Sequence, residues 1–147
     1  MLGRSKKNQR DFEHETLNES LVVVSLLEVM ENVLFMNNEE GDDLIVSFAI
    51  ECSDPGDVKS LILLRTPQFE FILQDHERGV TVSHDDEPEV EDNLLRRICM
   101  APQVVTIEST YNRYELDVSR VHQEQLSEAC AILHKMNFDN RFTFEAG

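Results

Sequence analysis

The sequence predicts an α+β domain, an antiparallel sheet of about five to six strands packed against two to three helices. Three observations predict it. Clean apolar alternation runs through residues 44–51. Helical spacing of apolar residues follows Ser119. Enough of the 147 residues are hydrophobic, 41%, to fill one core. The expected organisation is a flexible basic N-terminal arm, residues 1–17, followed by a single domain over residues 18–147.

Residues 1–10 hold Arg4, Lys6, Lys7 and Arg10 and no acid. The arm offers only Leu2, Phe12 and Leu17 for burial, so ordering it returns little for the backbone entropy lost. In residues 21–36, Leu21 to Val24 are rich in β-branching, which favours a strand. Ser25, Glu28, Glu31 and Asn32 recur at spacings of three and four, which favours a helix, and the helix is chosen over 18–36. Asn18 or Ser20 supplies its cap, and its twelve apolar residues between 21 and 36 make it central to the core or a homodimer seam.

Asn37 to Asp43 reads as a turn about Gly41. Leu44, Val46, Phe48 and Ile50 then share one face of a half-buried strand. Asp54-Pro55-Gly56-Asp57 is a turn, because Pro presets one φ and Gly accepts the next. Leu61 to Arg65 is apolar on both faces, as in a central strand, and Pro67 ends it. Phe69, Phe71 and Leu73 alternate with Glu70 and Gln74 as a further strand. Arg78-Gly79 turns the chain into a short strand at Val80 and Val82, completing an antiparallel meander over 44–83.

Pro88 suits the first position of a helix whose face is Val90, Leu94 and Ile98. Acids cluster at its start, Arg96 and Arg97 lie in its last turn, and Ala101-Pro102 stops it. Val104 to Ser109 and Tyr114 to Val118 read as a hairpin. Ser119 caps a last helix to Met136 with the stripe Leu126, Ala129, Cys130, Leu133 and Met136. Asn137 suits a left-handed cap with Phe138 packing back, and Phe142 and Phe144 mark a final edge strand.

Charge carries the functional reading. Twenty-nine acids face 13 bases, and setting aside the four bases of the arm leaves nine, a charge of −20 on residues 11–147. Such a field repels nucleic acid and anionic membrane and attracts basic proteins. The N-terminus lacks the apolar core of a signal peptide, and no stretch is apolar enough to span a bilayer. Cys52, Cys99 and Cys130 are sparse, odd in number and without a CxxC pair, so they read as buried small hydrophobes in a cytoplasmic protein.

Catalytic devices are missing from the sequence. The five glycines stand too far apart for a phosphate-binding loop, and Gly-x-Ser-x-Gly and HExxH do not occur. His122 and His134 lie about 18 Å apart along one helix by its rise, too far to share a ligand. No catalytic residue, metal or cofactor is therefore expected, and the chain reads as a non-enzymatic binding domain for a basic protein partner. Its expected contact residues are Asp85, Asp86, Glu87, Glu89, Glu91 and Asp92 of the acidic run, with Glu70, Glu108, Glu115 and Asp117 on the polar faces of strands. Small acidic inhibitor or immunity-type proteins, and secretion chaperones, are similar in type and element order. The alternative is a divalent-cation site, or a metal-dependent enzyme, built on residues 84–92 with His84 or His76, although the EF-hand spacing is missing.

Overall fold

The computed structural model describes residues 30–146. These residues are mostly β, with one eight-stranded mixed sheet and a single α-helix. The expected α+β arrangement of five to six antiparallel strands with two to three helices is therefore wrong. The strands are β1 (Glu31–Glu40), β2 (Leu44–Glu51), β3 (Val58–Arg65), β4 (Thr81–His84), β5 (Leu95–Met100), β6 (Val104–Ser109), β7 (Arg113–Asp117) and β8 (Thr143–Ala146), and the helix α1 is Gln123–Met136. Their order across the sheet is β4-β3-β2-β1-β7-β6-β5-β8. The pairs β1–β7 and β5–β8 are parallel, and the others are antiparallel.

Two expected helices are strands where they are described, each with a bulge, and the expected face of the second, Val90, Leu94 and Ile98, begins at an exposed residue ahead of the strand. In β1 the pairing slips between Val33 and Phe35, so Leu34 is an extra residue opposite β2. In β5 it slips between Leu95 and Arg97, leaving Arg96 extra. A β-bulge sets two residues against one and breaks strict alternation. Buried residues then fall three apart, Val33 with Met36 and Leu95 with Ile98, which imitates a helical stripe. The remainder of the 18–36 helix and the whole arm lie outside the described residues. Of the expected dimer seam, Val33 and Met36 are core residues and Phe35 is exposed.

The segment expected as a strand at Phe69 to Leu73 is a 3-10 helix, Pro67–Ile72, with a second short one at Asp75–Glu77. Helix α1 begins at Gln123 with His122 at its N-cap, not at Ser119. Asn137 keeps φ at −96° and ties the next turn through its side chain, donating to the Phe142 carbonyl at 2.9 Å and accepting its N–H at 3.2 Å. Asn140, at φ 57°, takes the left-handed conformation instead. Phe138 is exposed, with the Arg65 guanidinium 4.1 Å from its ring centre. The three cysteines are half-buried rather than core residues.

Other elements follow the sequence closely. Leu44, Val46, Phe48 and Ile50 are buried on β2, and Gly56 turns the chain at φ 89°. The β6–β7 hairpin pairs Val105 with Leu116 and Ile107 with Tyr114. Helix α1 buries Leu126, Ala129, Ile132, Leu133 and Met136, and it packs on β1 and β2. Strand β1 bonds to β7 only at Glu31 and Asn32. Beyond them the helix serves its free edge: Met36 N–H donates to Gln125 Oε1 at 3.1 Å, and Asn38 Nδ2 donates to the Gln125 carbonyl at 3.1 Å. An uncovered edge would leave strand donors unpaired.

The fold also pinches the acidic run into a loop. Thr81 bridges to Leu94, Val82 N–H donates to the Asn93 carbonyl and Leu95 N–H to the Val80 carbonyl. Strand β4 is thereby joined to the residues leading into β5, and residues 85–92 project between them. Among the described residues no helix is long and apolar enough to cross a membrane.

Candidate functional site

The base of the acidic loop is held by neutral polar groups. Asn93 is buried and donates to the Val82 carbonyl at 3.0 Å, while its Oδ1 accepts from Tyr111 N–H at 3.3 Å. His84 is buried and stacks on Tyr114 with ring centres 5.6 Å apart. Its Nδ1 accepts the Asp86 N–H at 3.0 Å, so the ring proton belongs on Nε2, which lies 3.1 Å from both Glu31 oxygens.

Four of the six loop acids are committed internally. Asp85 accepts Ser60 N–H at 2.9 Å, and Asp86 accepts from Lys59 Nζ at 2.6 Å. Glu87 accepts from Tyr114 Oη at 2.6 Å and from Asn112 at 3.2 Å. Asp92 accepts from Tyr111 Oη at 2.8 Å. Lys59 holds the Asp86 carboxyl below its usual range. Burial, then the bond to Glu87, pushes the Tyr114 phenol well above its ordinary value. Glu89 and Glu91 are exposed and make no hydrogen bond or ion pair among the described residues.

The four acids outside the loop divide differently. Glu70 is not on a strand face at all; it is buried, and both its oxygens accept from the Arg65 guanidinium at 2.8 Å. It is unavailable to a partner. Glu108 and Glu115 do lie on strands, but Arg113 bridges them at 2.8 and 3.0 Å, and Arg97 lies 3.9 Å from Glu108. Asp117 accepts Ser119 N–H at 2.9 Å, and the Ser119 side chain and backbone hold its carboxyl low. Lysines are missing from this face, as the sequence shows, yet arginines from neighbouring positions neutralise it. The residues that sequence reasoning missed are Lys59 and Tyr114, on strands β3 and β7, and Tyr111, in the β6–β7 turn, which fix the loop from elsewhere in the chain.

Charge is concentrated where the sheet ends beside the loop. Strand register sets Glu51 opposite Val58 and His84 opposite Leu61, so the β2–β3 turn and the loop share one end. Ten acids lie there (Glu31, Glu51, Asp54, Asp57 and the six of the loop) against three cations, Lys59, Arg120 and Arg113, whose neighbours Asn112 and Tyr114 both bond Glu87. All three are already paired, Lys59 with Glu31 and Asp86, Arg120 with Glu51 and Arg113 with Glu108 and Glu115. The opposite end, made by the β1–β2 turn, the 3-10 segment and residues 135–141, holds eight acids against four cations. A cavity of about 360 Å³ opens between the loop and Tyr111, walled by Val82, Pro88 and Val90 with Glu87 and Glu89 at hand.

Glu31, His84 and Asp86 offer ligand atoms within 4.8 Å of one another. Lys59 Nζ lies 3.3 Å from Glu31 and 2.6 Å from Asp86, so an internal ammonium already supplies the positive charge this cluster needs. Comparison with protein-family models, curated proteins and solved structures finds no match to the chain.

Proposed function

We propose that this chain is a non-enzymatic protein-binding domain that docks a basic partner surface on the loop end of its sheet. The observation that carries it is the ten-to-three excess of acids there, with all three cations held in internal pairs. The excess field speeds encounter with a cationic surface. The cavity beside Tyr111 supplies residence, since its apolar wall suits the stem of a lysine or arginine and its carboxylates suit the charged head. An inhibitor-type role is favoured over a chaperone-type role, because Val33 and Met36 of the 21–36 segment are spent on the core. The divalent-cation alternative is disfavoured by Lys59.

The test uses a labelled lysine-rich peptide and two variants of equal charge change. One is Asp54→Lys/Glu89→Lys/Glu91→Lys at the loop end; the other is Glu39→Lys/Asp42→Lys/Glu124→Lys elsewhere. The expected result is at least a tenfold greater loss for the first set, with binding that weakens steeply toward ~0.5 M salt, where screening acts within a few ångströms. Equal losses for the two sets would reduce the effect to net charge and sink the proposal.

A further inference from the structure

The 3-10 segment inverts the usual placement of residues. Three-residue periodicity turns Glu70 inward to Arg65 and leaves its neighbours outside. Phe69, Phe71 and Ile72 are 58%, 75% and 72% exposed. A charged side chain is thus buried while two phenylalanines and an isoleucine meet solvent. Single exposed apolar residues are ordinary, but a contiguous group of this kind marks an interaction surface. Beside them is a mostly apolar hollow of about 230 Å³, lined by Leu64, Phe69, Ile72, Leu73 and Thr81.

The rim gives the partner's chemistry. Glu77 lines the same hollow, and Asp43 and Asp75 lie on the adjoining turns. Of the nearby cations, Arg141 pairs with Asp75 at 2.6 Å, and Arg78 donates to the Leu73 carbonyl at 3.0 Å with no acid partner among the described residues, so the acids of this end still outnumber its cations. A second copy of the chain would bring another charge of −16 to an already anionic surface. We propose that Phe69, Phe71 and Ile72 form a docking ledge for a segment of another protein that carries apolar residues flanked by lysine or arginine. An apolar side chain of that segment fills the hollow, and its cations meet Glu77 and Asp43. The ledge is separate from the acidic loop and lies at the other end of the sheet.

The experiment titrates the full chain with a labelled helical leucine–lysine peptide, its leucine–glutamate counterpart and a serine–lysine peptide lacking the apolar stripe. The variant Phe71→Ser/Ile72→Ser alters exposed side chains, and an unchanged melting temperature verifies its fold. The expected result is at least tenfold weaker binding of the leucine–lysine peptide by the variant, and no change for the serine–lysine peptide. Glu89→Lys/Glu91→Lys should leave the ledge-dependent difference intact, which separates failure of the ledge from failure of the loop. Equal binding by variant and parent overturns the proposal, as does equal binding of the leucine–glutamate peptide. A concentration-dependent dimer that Phe71→Ser abolishes would make a second copy the occupant and overturn it too. So would protection of Phe71 in the isolated monomer by the chain's own residues 1–29.

Discussion

Replacing Arg65 with alanine should be among the most damaging single changes in the described residues. Its side chain is 1% exposed and makes five hydrogen bonds: two to Glu70 at 2.8 Å, two to Asp139 at 2.8 and 3.0 Å, and one to the Met136 carbonyl at 2.7 Å. Burial disfavours the charged guanidinium, but the bonds to Glu70 and Asp139 outweigh it and keep Arg65 protonated beyond its ordinary range. Alanine strands the Glu70 carboxylate and the Met136 carbonyl at the end of α1. Breaking a buried pair from one side costs ~3–5 kcal/mol. At ~2–4 °C per kcal/mol for a chain of this size, the melting temperature should fall by roughly 6–20 °C. Arg65→Met/Glu70→Met should recover part of that loss, since no unpaired charge is left at position 70. The acid limb should also change. The Arg65 bond, aided by Arg141, holds the Asp139 carboxyl far below its usual value. A depressed carboxyl stabilises above about pH 4 and loses that contribution as pH falls through its folded value. The alanine variant should therefore show a shallower loss of stability on acidification. Urea unfolding followed by far-ultraviolet circular dichroism measures both effects in a chain without tryptophan. A cost below ~1 kcal/mol would refute the reasoning, and with it the explanation of why Glu70 turns inward.

Three further outcomes are expected. Lys59→Met should free Glu31, His84 and Asp86, so that zinc raises the variant's melting temperature saturably while leaving the parent unchanged; a zinc-dependent shift in the parent would show that Lys59 does not fill the cluster. Gly79→Ala should cost ~1–3 kcal/mol because φ is 144°, even though the new Cβ meets only ordinary contacts near 3.8 Å, whereas Gly41→Ala should be close to neutral. Tyr114→Phe should cost ~1.5–3 kcal/mol by removing the donor to Glu87. In the parent, the raised phenol makes this contribution intact below pH 10 and lost as pH climbs through its folded value, and alkaline absorbance titration of the variant against the parent reads it.

Sequence pattern reported the regular parts of this fold and failed where the sheet is irregular. Leu44 to Ile50 alternates without interruption and was legible as a strand with its correct face. Val33 to Met36 and Leu95 to Ile98 were misread because their bulges remove the strict alternation that marks a strand, leaving the polar spacing Ser25, Glu28, Glu31, Asn32 and the face Val90, Leu94, Ile98 as the stronger pattern. The Phe69–Leu73 alternation misled for a different reason. It is a genuine period-two pattern, overridden by Arg65, which draws Glu70 inward from a residue five positions earlier. That arginine, directly after the apolar run Leu61 to Leu64 and two residues before Pro67, was the available signal of a buried charge seeking a partner. Its second partner, Asp139, lies 74 residues on, and no local pattern carries that distance. The acidic run was legible as composition, but its division into committed and free acids was not. Tyr114 and Lys59 on other strands and Tyr111 in the β6–β7 turn make that division, leaving Glu89 and Glu91 as the loop acids without partners among the described residues.

The two populations of charge respond oppositely to salt. Seven of the nine described cations sit in ion pairs, the most buried being Arg65 with Glu70, and paired charges at such distances are screened weakly. The surplus acids at the loop end are exposed and spread over a turn and a projecting loop, where a Debye length of ~30 Å at 0.01 M lets them all repel one another. Raising salt to ~0.15 M shortens that length to about 8 Å and relieves most of the repulsion. The free chain should therefore gain stability over this range, while its hold on a cationic partner weakens. If stability and binding fell together, the internal pairs rather than the surplus would dominate the field, and the loop would have no excess charge to offer.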